Sequence, residues 1–230
     1  MSDRFGISGN GALRTDRTSS FVIDSGAHKV LRNTYMLLSL CLGFAAVTAA
    51  AAAAFGLPRP GILLTLGGYF GLLFLITKYR DSGYAIGILF ALTGFMGYTL
   101  GPLISHHLNL PNGAMTVMTA LGGTAFTFVG LSAYALVTKR NLTAMGGFLA
   151  IGVLVAFLAS LAGVFLQIPA LSLTISAVFV LLMSGMILYE TNNIVRGGET
   201  NYVMATLSLF VSIFNLFTSL LHLLGFANKE

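Results

Sequence analysis

Long apolar stretches separated by short polar connections dominate the sequence after about residue 34. Each stretch holds roughly twenty residues, the length that an α-helix needs to cross a hydrocarbon core of about 30 Å. The stretches lie at residues 35–57, 61–77, 83–104, 114–137, 143–166, 170–189 and 202–226. The pattern therefore predicts an all-α, polytopic membrane protein with seven transmembrane helices.

Two polar segments flank the apolar region. Residues 1–34 are rich in Gly, Ser, Thr, Asp and Arg and contain no apolar core like that of a signal peptide. Such a composition cannot bury enough apolar surface to fold alone, so we expect a flexible tail. The predicted organisation is a tail at 1–34, a transmembrane domain at 35–226 and a short C-terminus at 227–230.

Composition and charge placement support this class and add an orientation. Only 8% of the residues are charged, whereas soluble domains carry about 25%. The net charge of +5 does not indicate nucleic-acid binding, because the basic residues form no continuous patch. Of the 12 Lys and Arg residues, all but Arg59 and Lys229 fall on one predicted side. Since cytoplasmic loops retain positive charge, we expect the N-terminus in the cytoplasm and the C-terminus on the other side.

Pairs of small residues four positions apart predict close helix packing, because a helix without side chains at these points lets a neighbouring backbone approach. In the apolar runs the pairs are Gly67 and Gly71, Gly83 and Gly87, and Gly97 and Gly101. We interpret them as contacts within the core of the bundle and not as a dimer face.

The inventory of reactive residues argues against an enzyme. None of the seven acidic residues lies at the middle of a predicted span, which excludes a paired-aspartate membrane protease. No His-Glu-x-x-His pattern is present, and the single Cys41 excludes a cysteine metal cluster. His106 and His107 are adjacent in an outer connection, where we expect both to be solvated. We therefore predict a protein without catalytic activity, resident metal or cofactor.

The last apolar run carries a polar stripe along one helical face. Its members are Ser208, Ser212, Asn215, Ser219 and His222. Because a polar group in hydrocarbon costs several kcal/mol unless it is paired, the stripe should face the interior of the bundle. It either supplies hydrogen bonds between helices or lines a polar permeation path.

Glu190 directly follows the sixth apolar run, at the boundary that we expect to face the cytoplasm. A carboxyl group at this level is suited to act as a gate or a cation ligand, and Lys78 and Arg80 are candidate counter-charges. The equally weighted alternative is an interfacial salt bridge, or an acid whose carboxyl group reaches the water.

Several stretches of the chain resemble one known family. They are HKVLRNTYMLLSL at 28–40, GPLI at 101–104, ALGGTAFTFVGLSAYALVTKRN at 120–141, LQIPAL at 166–171 and SGMILYETNNIVRGGETNYVMATLSLFVSIFNLF at 184–217. The last is the most specific, because it joins an acidic helix end, a Gly-Gly turn and an aromatic-rich final helix. These stretches resemble the Bax inhibitor-1 family. The resemblance implies seven helices with the last surrounded by the other six, in a bacterial inner membrane, with the C-terminus in the periplasm.

One function implied by the resemblance is a pH-regulated calcium leak. In the family it depends on two facing acids, one ending the sixth span and one in the seventh. Glu190 stands at the first position, whereas Ser212 stands where the second acid is expected. With the acidic pair absent, Glu190, Ser212 and Asn215 remain as a weaker oxygen-lined site or gate for calcium.

A bacterial branch of the family implies a different function. There the resemblance is to a protein that associates with the membrane-bound ATP-dependent protease FtsH and its HflK and HflC partners, as a slowly degraded substrate that restrains proteolysis. A flexible tail is a suitable handle for such a processive protease. The tail residues predicted to engage it are Met1, Asp3, Arg4, Arg14 and Arg17. We predict this function first, with the cation leak as the alternative, and membrane lipid as a further partner.

Overall fold

The computed structural model describes residues 25–166 and 168–227, and this part of the chain folds into α-helices joined by short connections. The helices are Ser25–Ala54 (α1), Ile62–Lys78 (α2), Tyr84–Leu108 (α3), Gly113–Val137 (α4), Met145–Leu166 (α5), Pro169–Val195 (α6) and Tyr202–Ala227 (α7). Six of them, all except α2, are long and apolar enough to cross a membrane. The predicted all-α membrane class is therefore confirmed.

The first helix begins ahead of the apolar run predicted at 35–57. Its first turns are amphipathic, since Ala27 and Thr34 are buried whereas His28 and Arg32 are exposed. A search for continuous apolar residues misses such a segment, because the exposed polar side chains interrupt the run.

Hydrogen bonds between connections show that the helices alternate in direction. At one end, Arg196 after α6 donates to the carbonyl of Lys139 after α4 over 2.6 Å, and Asn201 before α7 donates to the carbonyl of Arg80 after α2 over 2.9 Å. At the opposite end, Tyr98 of α3 donates to a carbonyl in the α1–α2 connection over 2.9 Å. We call the first the basic end. In the described part of the chain its cations are Lys29, Arg32, Lys78, Arg80, Lys139, Arg140 and Arg196.

The last helix is the most buried of the six long ones. It packs against α1, α3, α4 and α6, and 50% of its most apolar 18-residue window is buried within the protein, against 11% for α5. Leu209, Leu216 and Leu221 are fully enclosed. A hydrogen bond from the Thr206 hydroxyl to the carbonyl of Thr34 joins α7 to α1. In contrast, α2 packs mainly on α3, and α5 packs mainly on α6.

One of the three predicted glycine pairs forms a close helix contact. A Cβ atom at Gly97 would collide with Thr48 and with the backbone of Ala45, and one at Gly101 would lie 2.9 Å from the carbonyl oxygen of Ala49. These two glycines therefore let α3 press against the alanine-rich face of α1.

The other two glycine pairs were interpreted wrongly. Among the described residues, no atom lies within 4 Å of a Cβ added at Gly67, Gly71, Gly83 or Gly87. The spacing alone does not show which way a helix face points, and these glycines do not point at a neighbouring helix.

The two histidines of α3 differ in environment, because the helix continues to Leu108. His106 is exposed as expected, but His107 is buried and its Nδ1 lies 2.9 Å from the carbonyl oxygen of Leu103. Its other ring nitrogen faces Gly225 of α7, where an added Cβ would lie 2.8 Å away. The expectation that both histidines are solvated is therefore wrong for His107.

The glycine contacts lead to a stability prediction. We expect Gly97→Ala to lower the free energy of unfolding by about 1–3 kcal/mol, because the added methyl group must displace the backbone of α1. Gly71→Ala is the control, since its methyl group meets nothing within 4 Å. Thermal unfolding of the purified protein in mild detergent, followed by circular dichroism, measures both. Equal midpoints for the two variants would contradict the close α1–α3 packing.

Candidate functional site

Three consecutive buried polar residues lie in the last two turns of α6, at the basic end. They are Glu190, Thr191 and Asn192, and the last two are fully buried. Successive residues of an α-helix point about 100° apart, since one turn takes 3.6 residues, so the three side chains reach three different neighbours. We call them the α6 polar triplet.

Glu190 faces α7. The Ser208 side chain of α7 and the Glu199 carboxylate after α6 lie near its carboxyl group. Neither proposed counter-charge forms an ion pair with Glu190: Arg80 Nε lies 3.3 Å from a carboxylate oxygen of the adjacent Asp81, and the Lys78 ammonium stands over the Tyr79 ring.

The other two members of the triplet hold α4 and the connection that follows it. The Thr191 and Ser132 hydroxyl oxygens are 3.5 Å apart, which joins α6 to α4. Asn192 Oδ1 accepts from the backbone N–H of Leu142 and from Nε of Arg196, each over 3.1 Å. Asn192 Nδ2 donates to the carbonyl of Arg140 over 3.4 Å. One buried amide therefore organises the α4–α5 connection.

Asn201 performs the matching task for the α2–α3 connection. Its Oδ1 accepts from the backbone N–H groups of Val203 over 2.9 Å and Met204 over 3.2 Å, which caps the start of α7. Its Nδ2 donates to the carbonyl of Arg80 over 2.9 Å. Its own backbone N–H donates to the Glu199 carboxylate over 2.7 Å. The cap of α7 is thus also an anchor for a distant connection.

The turn between α6 and α7 requires both of its glycines. Gly197 has a φ of +73°, in the left-handed region that side chains disfavour. A Cβ at Gly198 would collide with the side-chain oxygen of Asn193. The two glycines therefore bring Asn192 and Asn201 to the same end of the bundle.

The polar stripe of α7 runs through the bundle away from this end. Ser212 and Ser219 are buried, Ser212 Oγ donates to the carbonyl of Ser208 over 2.9 Å, and Asn215 Nδ2 donates to a carbonyl one turn earlier over 2.8 Å. His222 is exposed, and its Nδ1 lies 2.8 Å from Ser176 Oγ on α6. The hydroxyl and amide groups thus bond largely to their own helix or its neighbour.

A cavity of about 630 Å³ lies between α2, α3, α5, α6 and α7. Its wall includes Ser208, Ser212 and Asn215 but not Glu190. Ser208 is therefore the residue that both lines the cavity and faces the Glu190 carboxyl group. Most of the remaining wall is apolar or aromatic, and none of the lining residues is charged.

Two further points of the sequence analysis concern metal ligands and the N-terminal tail. In the described part of the chain, no group of three or more His, Cys, Asp or Glu side chains is arranged to hold a metal ion. The structure does not describe the tail residues that are predicted to engage a protease, which are Met1, Asp3, Arg4, Arg14 and Arg17.

Sequence reasoning missed Thr191, Asn192 and Asn201. The available signal was the spacing of the segments Thr-Asn-Asn and Glu-Thr-Asn, which flank a Gly-Gly pair in an otherwise apolar region. Such a pattern indicates a turn whose ends carry amide side chains. It does not reveal which connections those amides reach.

Comparison with known proteins identifies the family. Residues 27–229 match the profile of the family described as inhibitor of apoptosis-promoting Bax1. The chain belongs to the Bax inhibitor-1 family. The resemblance seen in the sequence is therefore confirmed, and the match spans every helix of the bundle.

Relatives in several bacteria cover nearly the whole of this Bax inhibitor-1 family protein. The modulator of FtsH protease YccA of Escherichia coli strain K12 is 51% identical over 215 residues, 94% of this chain and 96% of the relative. An uncharacterized protein of Pseudomonas aeruginosa is 50% identical over 87% of this chain and 90% of its own. An uncharacterized membrane protein of Vibrio cholerae is 40% identical over 93% and 96%. The family and the first relative carry names of an inhibitor and a modulator, not of an enzyme.

The triplet leads to a second stability prediction. We expect Asn192→Ala to lower the free energy of unfolding by about 1–3 kcal/mol, because the Leu142 N–H and the Arg140 carbonyl lose a partner. Asn141→Ala is the matched control, because this amide is exposed and bonds only locally, to Thr143. Chemical unfolding in detergent measures both. Equal free energies of unfolding for Asn192→Ala and Asn141→Ala would contradict the anchoring role of Asn192.

Proposed function

We propose that this protein restrains an FtsH-type membrane protease by acting as a slowly degraded membrane substrate. The observation that carries the proposal is the 51% identity, over 94% of the chain, to a protein named as a modulator of FtsH protease. The structural features that support it concern how firmly the bundle is held.

The proposed topology has seven spans, with the basic end in the cytoplasm. The alternation of the helices supports the count, because α2 starts and ends at opposite ends of the bundle. Its 17 residues give a length of about 26 Å, close to a hydrocarbon core of about 30 Å. The placement of Arg80, Lys139 and Arg196 at the basic end supports the orientation, since cytoplasmic loops retain positive charge.

In this topology the predicted tail and the α6 polar triplet are on the same side as the protease. A processive protease that pulls from the N-terminus must first remove α1, which packs against α3 through Gly97 and Gly101 and is bonded to α7 through Thr34. We infer that α7 is the central helix, because it packs against α1, α3, α4 and α6. Extraction of α1 therefore has to disrupt the core, and this resistance would slow degradation.

The proposal predicts that restraint depends on residues 2–17. We expect the full chain, reconstituted with FtsH in proteoliposomes, to slow ATP-dependent degradation of a second membrane substrate while being degraded slowly itself. A chain lacking residues 2–17 should leave the degradation of the second substrate unchanged and should not be degraded itself, because the protease has no segment to engage. The measurement is the half-life of both substrates by gel electrophoresis.

A variant in which a Gly-Ser segment of equal length replaces 2–17 is the control for length. Restraint by this variant would mean that length suffices and that Asp3, Arg4, Arg14 and Arg17 are not specifically recognised. Restraint by the truncated chain would contradict the role of the tail. No effect of the full chain on the second substrate would contradict the proposed function itself.

A second candidate function is a cation leak, favoured by one observation. Ser208 faces the Glu190 carboxyl group at the basic end and also lines the cavity, which extends to Ser212 and Asn215. These oxygens provide a partial path, although Ca²⁺ takes about 6–8 oxygen ligands and only one of these side chains is a carboxylate.

The leak candidate predicts that Glu190→Gln abolishes calcium entry into liposomes containing the purified protein, because the substitution removes the charge at the entrance. Glu199→Gln is the matched control, since it neutralises a neighbouring carboxylate that does not end α6. Dye-reported calcium flux is compared with empty liposomes. Flux that equals the empty-liposome value for the unsubstituted protein, or that survives Glu190→Gln unchanged, would rule out this candidate.

A further inference from the structure

We propose that the cavity between α2, α3, α5, α6 and α7 holds one acyl chain of a membrane phospholipid. This inference is independent of the protease, but it competes with the cation leak, because both would use the same cavity. It rests on the chemistry of the cavity wall, on where the cavity opens and on its depth in the bundle.

The size and lining of the cavity are those of a small-molecule site. Its volume of about 630 Å³ falls within the range of about 300–1,000 Å³ that is typical of ligand pockets. Met96, Met183 and Met186 contribute flexible walls that adapt to an irregular occupant. Since no lining residue is charged, the wall offers no charged partner for an ionic ligand.

Four polar side chains of the wall donate to backbone carbonyls of their own helices. The hydroxyl groups of Thr65, Thr99 and Ser212 donate to carbonyls of their own helices over 3.1, 2.7 and 2.9 Å. The amide of Asn215 donates to the carbonyl of Val211 over 2.8 Å. A water molecule in a cavity needs about 2–4 polar partners, so a wall whose donors are turned to the backbone favours an apolar occupant.

The cavity opens toward the hydrocarbon of the membrane. Phe70 of α2 and Leu154 of α5 line it and are 48% and 58% exposed, so these two helices do not enclose the cavity there. The Phe70 and Phe157 rings, which are arranged edge to face with centroids 5.7 Å apart, form one border of the gap between α2 and α5. We call this gap, bounded by Phe70, Leu154 and Phe157, the lateral opening.

The lateral opening lies at the depth of acyl chains. Phe70 is the middle residue of the 17-residue α2, and Ser212 and Asn215 lie in the middle of the 26-residue α7. The species that reaches a site at this depth through such an opening is the acyl chain of a neighbouring phospholipid. Its transfer from bilayer to cavity exposes no polar group to hydrocarbon.

The absence of Trp from the chain allows a direct test. Phe214→Trp places a fluorophore on the α7 wall of the cavity, and the variant is reconstituted in phospholipid with brominated acyl chains, which quench Trp on contact. We expect its fluorescence to fall, relative to unbrominated lipid, about as far as that of Phe126→Trp, whose site is 83% exposed. Phe210→Trp, at a site that is 1% exposed and outside the cavity wall, should lose much less.

A matched pair of substitutions separates the cavity from the general lipid contact. Val153 lines the cavity, whereas Val155, on the same helix, is exposed to lipid. In the Phe214→Trp background, Val153→Phe fills the cavity and should remove the quenching, and Val155→Phe should leave it unchanged. Phe179→Trp, on the α6 wall, is a second reporter in case Phe214→Trp fails to fold.

Four outcomes would overturn the proposal, and the first three concern the cavity reporters. They are no quenching of either cavity reporter by brominated phospholipid, quenching that Val153→Phe leaves unchanged, and quenching by aqueous iodide, which would show a water-filled cavity. Quenching by brominated free fatty acid but not by brominated phospholipid would also overturn it, since the occupant would then be a detached amphiphile.

Discussion

Polar groups within the bilayer have to find their partners inside the protein, because the hydrocarbon offers none, and this constraint explains most of the fold. It is strictest at the end of α6, where Glu190, Thr191 and Asn192 are buried in succession. Each reaches a different neighbour: Ser208 on α7, Ser132 on α4 and the α4–α5 connection. The positions of α4 and α7 relative to α6 therefore depend on one short segment, and Asn201 extends the same anchoring to α2.

Much of this fold could be predicted from the sequence, because length and hydropathy are properties of single segments. Each of the seven helices in the described part of the chain overlaps one predicted apolar run, although α1 begins ten residues earlier and α6 ends six residues later than predicted, and the family resemblance is confirmed. The errors arose where the environment of a residue depends on which other helix packs against it. Gly97 and Gly101 face the alanines of α1, but Gly67 and Gly71, at the same spacing, face no helix. His107 is buried because α3 continues past the apolar run and packs near Gly225 of α7.

The candidate site also contains some residues that the sequence reveals and others that it does not. Glu190 and the polar stripe of α7 were visible in the sequence, since a charge at a helix end and a polar face on an apolar helix are local patterns. The roles of Asn192 and Asn201 were not, because their partners are backbone groups more than forty residues away in the chain. The cavity is likewise a product of five helices. No single segment of the sequence therefore predicts the cavity. Its wall is mostly apolar, so the polar stripe of α7 faces a largely apolar space and not an open aqueous path.

We propose that polar anchoring in the last two turns of α6 makes this bundle slow to unfold, and that slow unfolding underlies its proposed effect on an FtsH-type protease. The most direct test is the half-life of the protein itself during ATP-dependent proteolysis in proteoliposomes, for the unsubstituted chain, Asn192→Ala and Asn141→Ala. We expect Asn192→Ala to be degraded several-fold faster than the unsubstituted chain and Asn141→Ala to be degraded at the same rate as that chain. Equal half-lives for all three, with Asn192→Ala independently shown to be destabilised, would contradict the proposal.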